Sequence, residues 1–211
     1  MTGAIAPKQH EHVILHGVCW STYEALVRDL ESEPAKRLTY NQGILEIMVP
    51  LPPHEQYKKR IGRLVEAATE ELGIELASLG QVTWKRQDLE KGLEPDRCYY
   101  IQNEPSVRDR SDIDPNRDLP PDLAIEIDHT SSSLDRLVIY AALGIPEVWR
   151  YDGEKLTIYH LFKGAYNPQE ASVALPILSA EDVLRFLQAR QRSGENAWLR
   201  EFRQWMRAQL S

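Results

Sequence analysis

The chain has 211 residues, 42% hydrophobic and 27% charged, which suits one well-packed domain. A formal net charge of −7 argues against a protein that coats nucleic acid by charge alone, because such binding rests on lysines and arginines neutralising phosphates. No apolar run approaches the roughly 20 residues of a membrane span, and the polar start MTGAIAPKQHEH is unlike a secretory signal.

Two cysteines, Cys19 and Cys98, form neither a CxxC site nor a disulfide framework, so two buried thiols in a cytoplasmic protein are expected. HVILHGVCW then predicts a short strand, and STYEALVRDLESE a helix with Ser21 and Glu24 spaced as a capping box. RLTY and ILEIMV flank Asn41-Gln42-Gly43 as a hairpin. HEQYKKRIGRLVEAATEELG is the strongest helix, with Ile61, Leu64, Val65 and Ala68 at helical spacing and Gly73 placed as terminator. IELAS, VTWK and RCYYI read as short strands, and residues 103–119 as a polar loop.

PPDLAIEID (120–128) reads as a strand, SSSLDRLVIYAALG as a helix stopped by Gly144, and PEVWRYDGEKLTIYHLF as a hairpin turning at Asp152-Gly153. Helices close the chain at roughly 180–191 and 195–209. The expected fold is α/β in the mixed α+β sense, a mixed sheet flanked by helices in a single domain, 1–211. The last helix carries Trp198, Leu199, Phe202, Trp205 and Met206, a stripe that packs on the domain or on a partner subunit; a homodimer is the expected oligomer. Residues 180–211 hold six arginines against four acids, a mild basic tilt that reads first as a solvated face.

Within PPDLAIEID, Leu123, Ile125 and Ile127 alternate on one face, and Asp122, Glu126 and Asp128 share the other. Same-face neighbours two apart are separated by roughly 6.6 Å and those four apart by roughly 13 Å, so Glu126 and Asp128 can flank one cation while Asp122 belongs to the strand's start. Asp96, at the mouth of RCYYI, faces Glu126 if the two strands pair, since neighbours lie about 4.8 Å apart. One or two carboxylates suit a hard cation such as Mg²⁺; acids on a solvated sheet face are the competing reading. No zinc pattern, P-loop, GxGxxG or GxSxG occurs.

EPDRCYYI, PPDLAIEIDHTSSSLDR and IYAALGIPEVWRYDG together resemble a widespread bacterial family of restriction-endonuclease-like proteins, long labelled a domain of unknown function, within the PD-(D/E)xK nuclease superfamily. The resemblance runs from GILEIMVP to about residue 185 and is specific over 94–153. It implies a restriction-endonuclease-like core and cleavage of nucleic acid, DNA first. It also implies Mg²⁺ or Mn²⁺ held by Asp96 and Glu126, with a lysine assisting the attack. Here the chain departs: Asp128 stands where that lysine belongs, and Arg136 stands four residues before Tyr140, where the family often has lysine. Arginine can offset phosphoryl charge but cannot act as a base. Lys85 is a candidate substitute, and Glu46 resembles the extra acid that such proteins bring to the metal.

Other residues carry weaker expectations. His54 and Glu55 stand at a helix start, His129 follows the acidic strand, and QHEH at 9–12 resembles a metal cluster only superficially. Lys59 and Arg63 share a helix face that fits either phosphate contact or solvent. Three functions remain open: a metal-dependent phosphodiesterase, a non-catalytic descendant serving as a nucleic-acid or protein interaction module, and a carboxylate-pair glycosidase. The last needs Trp84, Tyr99, Tyr100 and Trp149 to line a sugar cleft.

Overall fold

The computed structural model describes residues 10–30, 36–50, 52–79, 82–110, 113–128, 134–190 and 194–210, without the side chains of His10 and Glu11. The chain begins with β1 (His10–His16), α1 (Trp20–Asp29), β2 (Arg37–Asn41), β3 (Ile44–Pro50) and α2 (Pro52–Leu72). The short strands β4 (Ala77–Leu79), β5 (Trp84–Arg86), β6 (Lys91–Leu93) and β7 (Arg97–Tyr100) follow. After the loop come β8 (Leu123–Ile127), α3 (Arg136–Ala142), β9 (Glu147–Tyr151), β10 (Leu156–Phe162) and β11 (Ala165–Gln169), then α4 (Ala180–Ala189) and α5 (Glu195–Leu210). Among the described residues no helix is long and apolar enough to cross a membrane.

These strands form two sheets. One is antiparallel, in the order β1-β3-β2-β6-β5; the other is mixed, in the order β11-β10-β9-β8-β7-β4. The β2–β3 turn closes with Gln42 and Gly43 at φ 47° and 88°, the double positive-φ geometry that matches strand twist. Lys163 and Gly164 repeat it at 50° and 80° and add β11, a strand absent from the sequence reading. Its residues are mostly exposed and include Pro168, so it shows no apolar alternation and suits an edge. β6 is missing from that reading too, because three residues with a central glycine carry no period. Its consequence is large: Glu94-Pro95-Asp96 carries the chain from the first sheet, through β6, to the second, through β7.

β8 and β9 are parallel, joined through α3, while the other pairs of the mixed sheet are antiparallel. All five residues of β8 are buried. Leu123, Ile125 and Ile127 pack with Ile61, Leu64, Val65 and Ala68 of α2, and Ala124 packs with Ile139 and Tyr140 of α3. Helices therefore cover both faces of a central strand, which overturns the solvated-face reading of its acids.

Two local expectations also change. α1 starts at Trp20 with Cys19 as its N-cap, so Ser21 lies inside the helix and caps nothing. Burying Trp20 against Tyr23 and Tyr40, with ring centroids 5.1 and 5.6 Å apart, draws the helix start forward. Cys19 is consequently exposed, whereas Cys98 is buried and its thiol is pushed up to about 12 by burial. The capping box that does form is Ser179 with Asp182, at α4.

The apolar stripe of α5 packs within this chain. Trp198, Phe202 and Met206 are fully buried in the core shared by α2, α4 and β8. Arginines reinforce this docking: Arg203 and Arg207 grip Glu70 and Glu71 of α2, while Lys59 and Arg63 meet Glu195 of α5. Lys59 and Arg63 thus serve helix packing, and much of the C-terminal basic tilt is spent inside the molecule.

Hydrogen bonds from Arg207 and then Arg203 pull the Glu71 carboxyl from 4.5 down to about 2. A depressed folded pKa gives stability that is complete above the unfolded value and lost as pH falls through the folded one. The melting-temperature gap between the wild type and Glu71→Gln will be full at neutral pH and close between pH 4.5 and about 2. Thermal denaturation followed by circular dichroism reads it, and a gap constant with pH would refute the clamp.

Candidate active site

The junction of the two sheets gathers the charged residues. β7 and β8 pair with Arg97 opposite Ile125, which places Asp96 across from Glu126 as the sequence spacing anticipates. Asp96 is 3% exposed and Glu126 5%. Asp96 Oδ2 accepts from the Ile127 amide at 2.8 Å and lies 3.1 Å from His54 Nε2, at the start of α2. His54 Nδ1 lies 3.6 Å from Glu55, and Arg37 of β2 stands 3.9 Å from both Asp96 and Glu55.

Glu126 is held from α3. Arg136 Nε lies 2.6 Å from Oε1, Arg136 Nη2 donates to Oε2 at 3.1 Å, and the Tyr140 hydroxyl donates to Oε2 at 2.5 Å. Arg136 also donates to the Glu94 carbonyl at 2.9 Å and to Thr39 Oγ1. One guanidinium thereby ties together β2, the link between the sheets and β8. Glu46 is buried on β3 directly opposite Thr39, so it shares the sheet face that meets Arg136.

Burial and bonding divide the protonation states. Burial pushes Glu126 up to about 7, with the Asp96 charge adding to it against Arg136 and Tyr140. Burial also opposes charge on Asp96, but His54 and the Ile127 amide hold it below the usual carboxylate range. For His54, burial is outweighed by Asp96 and Glu55, which push it up to about 9. The surroundings thus favour the ionised form of Asp96 and the cationic form of His54, while burial favours the neutral form of Glu126.

The other candidates lie apart or do other work. Lys85 on β5 meets Glu24 of α1 at 3.2 Å. Asp122 accepts from Ile101 N, Asn103 N and Asn103 Nδ2 at 2.6, 3.0 and 2.5 Å, closing the loop after β7. Asp128 is ion-paired with Arg150 of β9. His129 and Gln9 lie outside the described residues, and His12 is exposed on β1. Trp84, Tyr99, Tyr100 and Trp149 are buried in the cores, so they line no open sugar cleft. Arg37, Thr39, Tyr140 and Arg150 are the members that the sequence did not reveal; an arginine interrupting the apolar run EVWRY was the clearest available signal.

A cavity of about 60 Å³ opens beside Glu126, lined by Asp128, Leu134, Arg136, Tyr140 and Arg150 among others. Among the described residues, no three His, Cys, Asp or Glu side chains converge as a metal cage. Mg²⁺ needs less, since one or two carboxylates with waters suffice. Two buried carboxylates supply oxygen donors of the type such an ion takes.

A mixed sheet with helices on both faces, and Asp96 across from Glu126 where β7 meets β8, is the arrangement expected of a restriction-endonuclease-like protein. More particularly, a sequence model of the family Uma2, described as "Putative restriction endonuclease", matches residues 20–191, and the chain belongs to that family. The crystal structure of a "putative nuclease belonging to DUF820" from Anabaena variabilis is similar over 79% of this chain and 92% of that one, at 15% identity and a TM-score of 0.46. Among curated proteins none matches.

Proposed function

We propose that this protein is a metal-dependent endonuclease that hydrolyses phosphodiester bonds of nucleic acid, DNA in the first instance. The carrying observation is the buried pair of Asp96 and Glu126 brought face to face at the junction of the two sheets. Membership of a family whose description reads "Putative restriction endonuclease" supports it. Asp96 and Glu126 would hold Mg²⁺ or Mn²⁺, which supplies an activated water and Lewis-acid stabilisation when bound. His54 and the Ile127 amide fix the Asp96 carboxylate. Arg136 and Tyr140 fix Glu126, and α3 shields the pair from bulk water.

A second reading, a non-catalytic interaction module, is favoured by one observation: Arg136 already neutralises both oxygens of Glu126. Incubation with plasmid and single-stranded substrates plus Mg²⁺ or Mn²⁺ separates the two. The wild type is expected to cleave, and Glu126→Ala to lose on the order of 10²–10³-fold in rate. Glu126→Gln belongs beside it, since glutamine keeps the side-chain volume and an acceptor oxygen for Arg136 and Tyr140 that alanine removes. Cleavage indifferent to both substitutions sinks the site. Neither cleavage nor Mn²⁺ binding by the wild type favours the interaction module.

A further inference from the structure

The position two beyond Glu126 carries an acid, and a cation from the neighbouring strand answers it. β8 and β9 run in parallel register with Glu126 beside Arg150, so both side chains leave the sheet on the α3 side. Asp128, two residues along, lies on the same side, and Arg150 Nη2 donates to its Oδ2. All three residues line the same cavity, with Glu126 as the member of the acid pair that reaches it. The Arg150 side chain is 40% exposed there, against 14% for Asp128, 10% for Arg136 and 7% for Glu126. Arg150 is the charged group at the mouth.

Counting donors decides which arginine can meet a ligand. A guanidinium offers five N–H groups. In Arg136, Nη2 is shared between Glu94 and Glu126, Nη1 donates to Thr39, and Nε lies against Glu126. Arg136 is therefore committed to holding the site together. Arg150, among the described residues, donates only through Nη2 and only to Asp128, while it lines the cavity with its side chain 40% exposed.

We propose that Arg150 is a further catalytic residue that binds a non-bridging phosphate oxygen next to the Asp96–Glu126 pair, with Asp128 as its positioning residue. This rests on the phosphodiesterase reading. Displacement at phosphorus spreads charge over the non-bridging oxygens, and a cation fixed beforehand offsets it without reorganisation. A two-pronged guanidinium recognises phosphate geometry as well as charge, and it stays charged at every working pH. Asp128 takes one prong and leaves the rest of the fork presented. The cation that β8 lacks at residue 128 is thus supplied from β9.

The test combines two readouts on full-length protein. Binding of a fluorescein-labelled oligonucleotide is followed by anisotropy in EDTA, and cleavage is followed with Mn²⁺. Arg150→Ala is expected to weaken binding roughly 10-fold and to lower kcat on the order of 10²–10³-fold. Arg150→Lys should restore more binding than turnover, because it returns charge without the fork. Asp128→Asn should keep binding and lower kcat by up to about 10²-fold through misplacement. Arg150→Ala that binds and cleaves as the wild type, beside an inactive Glu126→Ala, overturns this inference alone. A wild type that binds without cleaving, or does neither, overturns it together with the nuclease reading. If Arg150→Ala fails to fold, Arg150→Gln decides by the same two readouts.

Discussion

Arg136→Met will destabilise the protein by about 3–5 kcal/mol at alkaline pH, where it strands an ionised Glu126 in a buried site. Near neutral pH the loss is smaller, because Glu126, already pushed up to about 7 by burial, takes a proton instead. The side chains of Arg136 and Glu126 are 10% and 7% exposed, so solvent cannot replace the lost partner. Thr39 and the Glu94 carbonyl lose a donor in the same substitution. Adding Glu126→Leu removes the orphaned charge, and replacing a whole buried pair by apolar groups is often close to neutral. The double variant is therefore expected to recover most of the loss while abolishing cleavage. Urea unfolding midpoints of the wild type, both singles and the double close the cycle. A single-variant loss below about 1 kcal/mol, the scale of an exposed pair, would show that Arg136 is no structural tie.

That cycle separates two roles the sequence presented as one. By motif, Arg136 stands where a catalytic lysine is expected; its donors also join Thr39, Glu94 and Glu126, a structural tie that the motif does not show. The acids themselves were legible, because Asp96 and Glu126 each sit at a fixed place on a short apolar strand. Their partners were not, because Arg37 reaches Asp96, and Thr39 reaches the Arg136 that holds Glu126, only after the first sheet packs against the second. Asp128 looked anomalous for the same reason: its counter-charge stands across a crossover, on β9. In the fold, α2 was legible from a sustained helical period, and the β2–β3 hairpin from Asn41-Gln42-Gly43. The division into two sheets was not, since it turns on β6, whose three residues show no pattern.

Trp198→Ala should cost about 3–5 kcal/mol, the range for deleting a large buried aromatic ring. Trp198 is fully buried on α5, and its indole nitrogen donates to the Phe186 carbonyl of α4 at 2.7 Å. Truncation leaves a void in a close-packed core and removes one of two donors to the Phe186 carbonyl, the Arg190 amide being the other. Trp205, partly buried at the edge of the same cluster, serves as the control, and Trp205→Ala is expected to cost clearly less. The comparison bears on function because α5 shares its core with α2, which positions His54, and with β8, which positions Glu126. Activity measured well below the melting temperature should survive Trp198→Ala in proportion to the folded fraction, unlike Glu126→Ala. Equal costs at 198 and 205 would show that α5 is not docked as described.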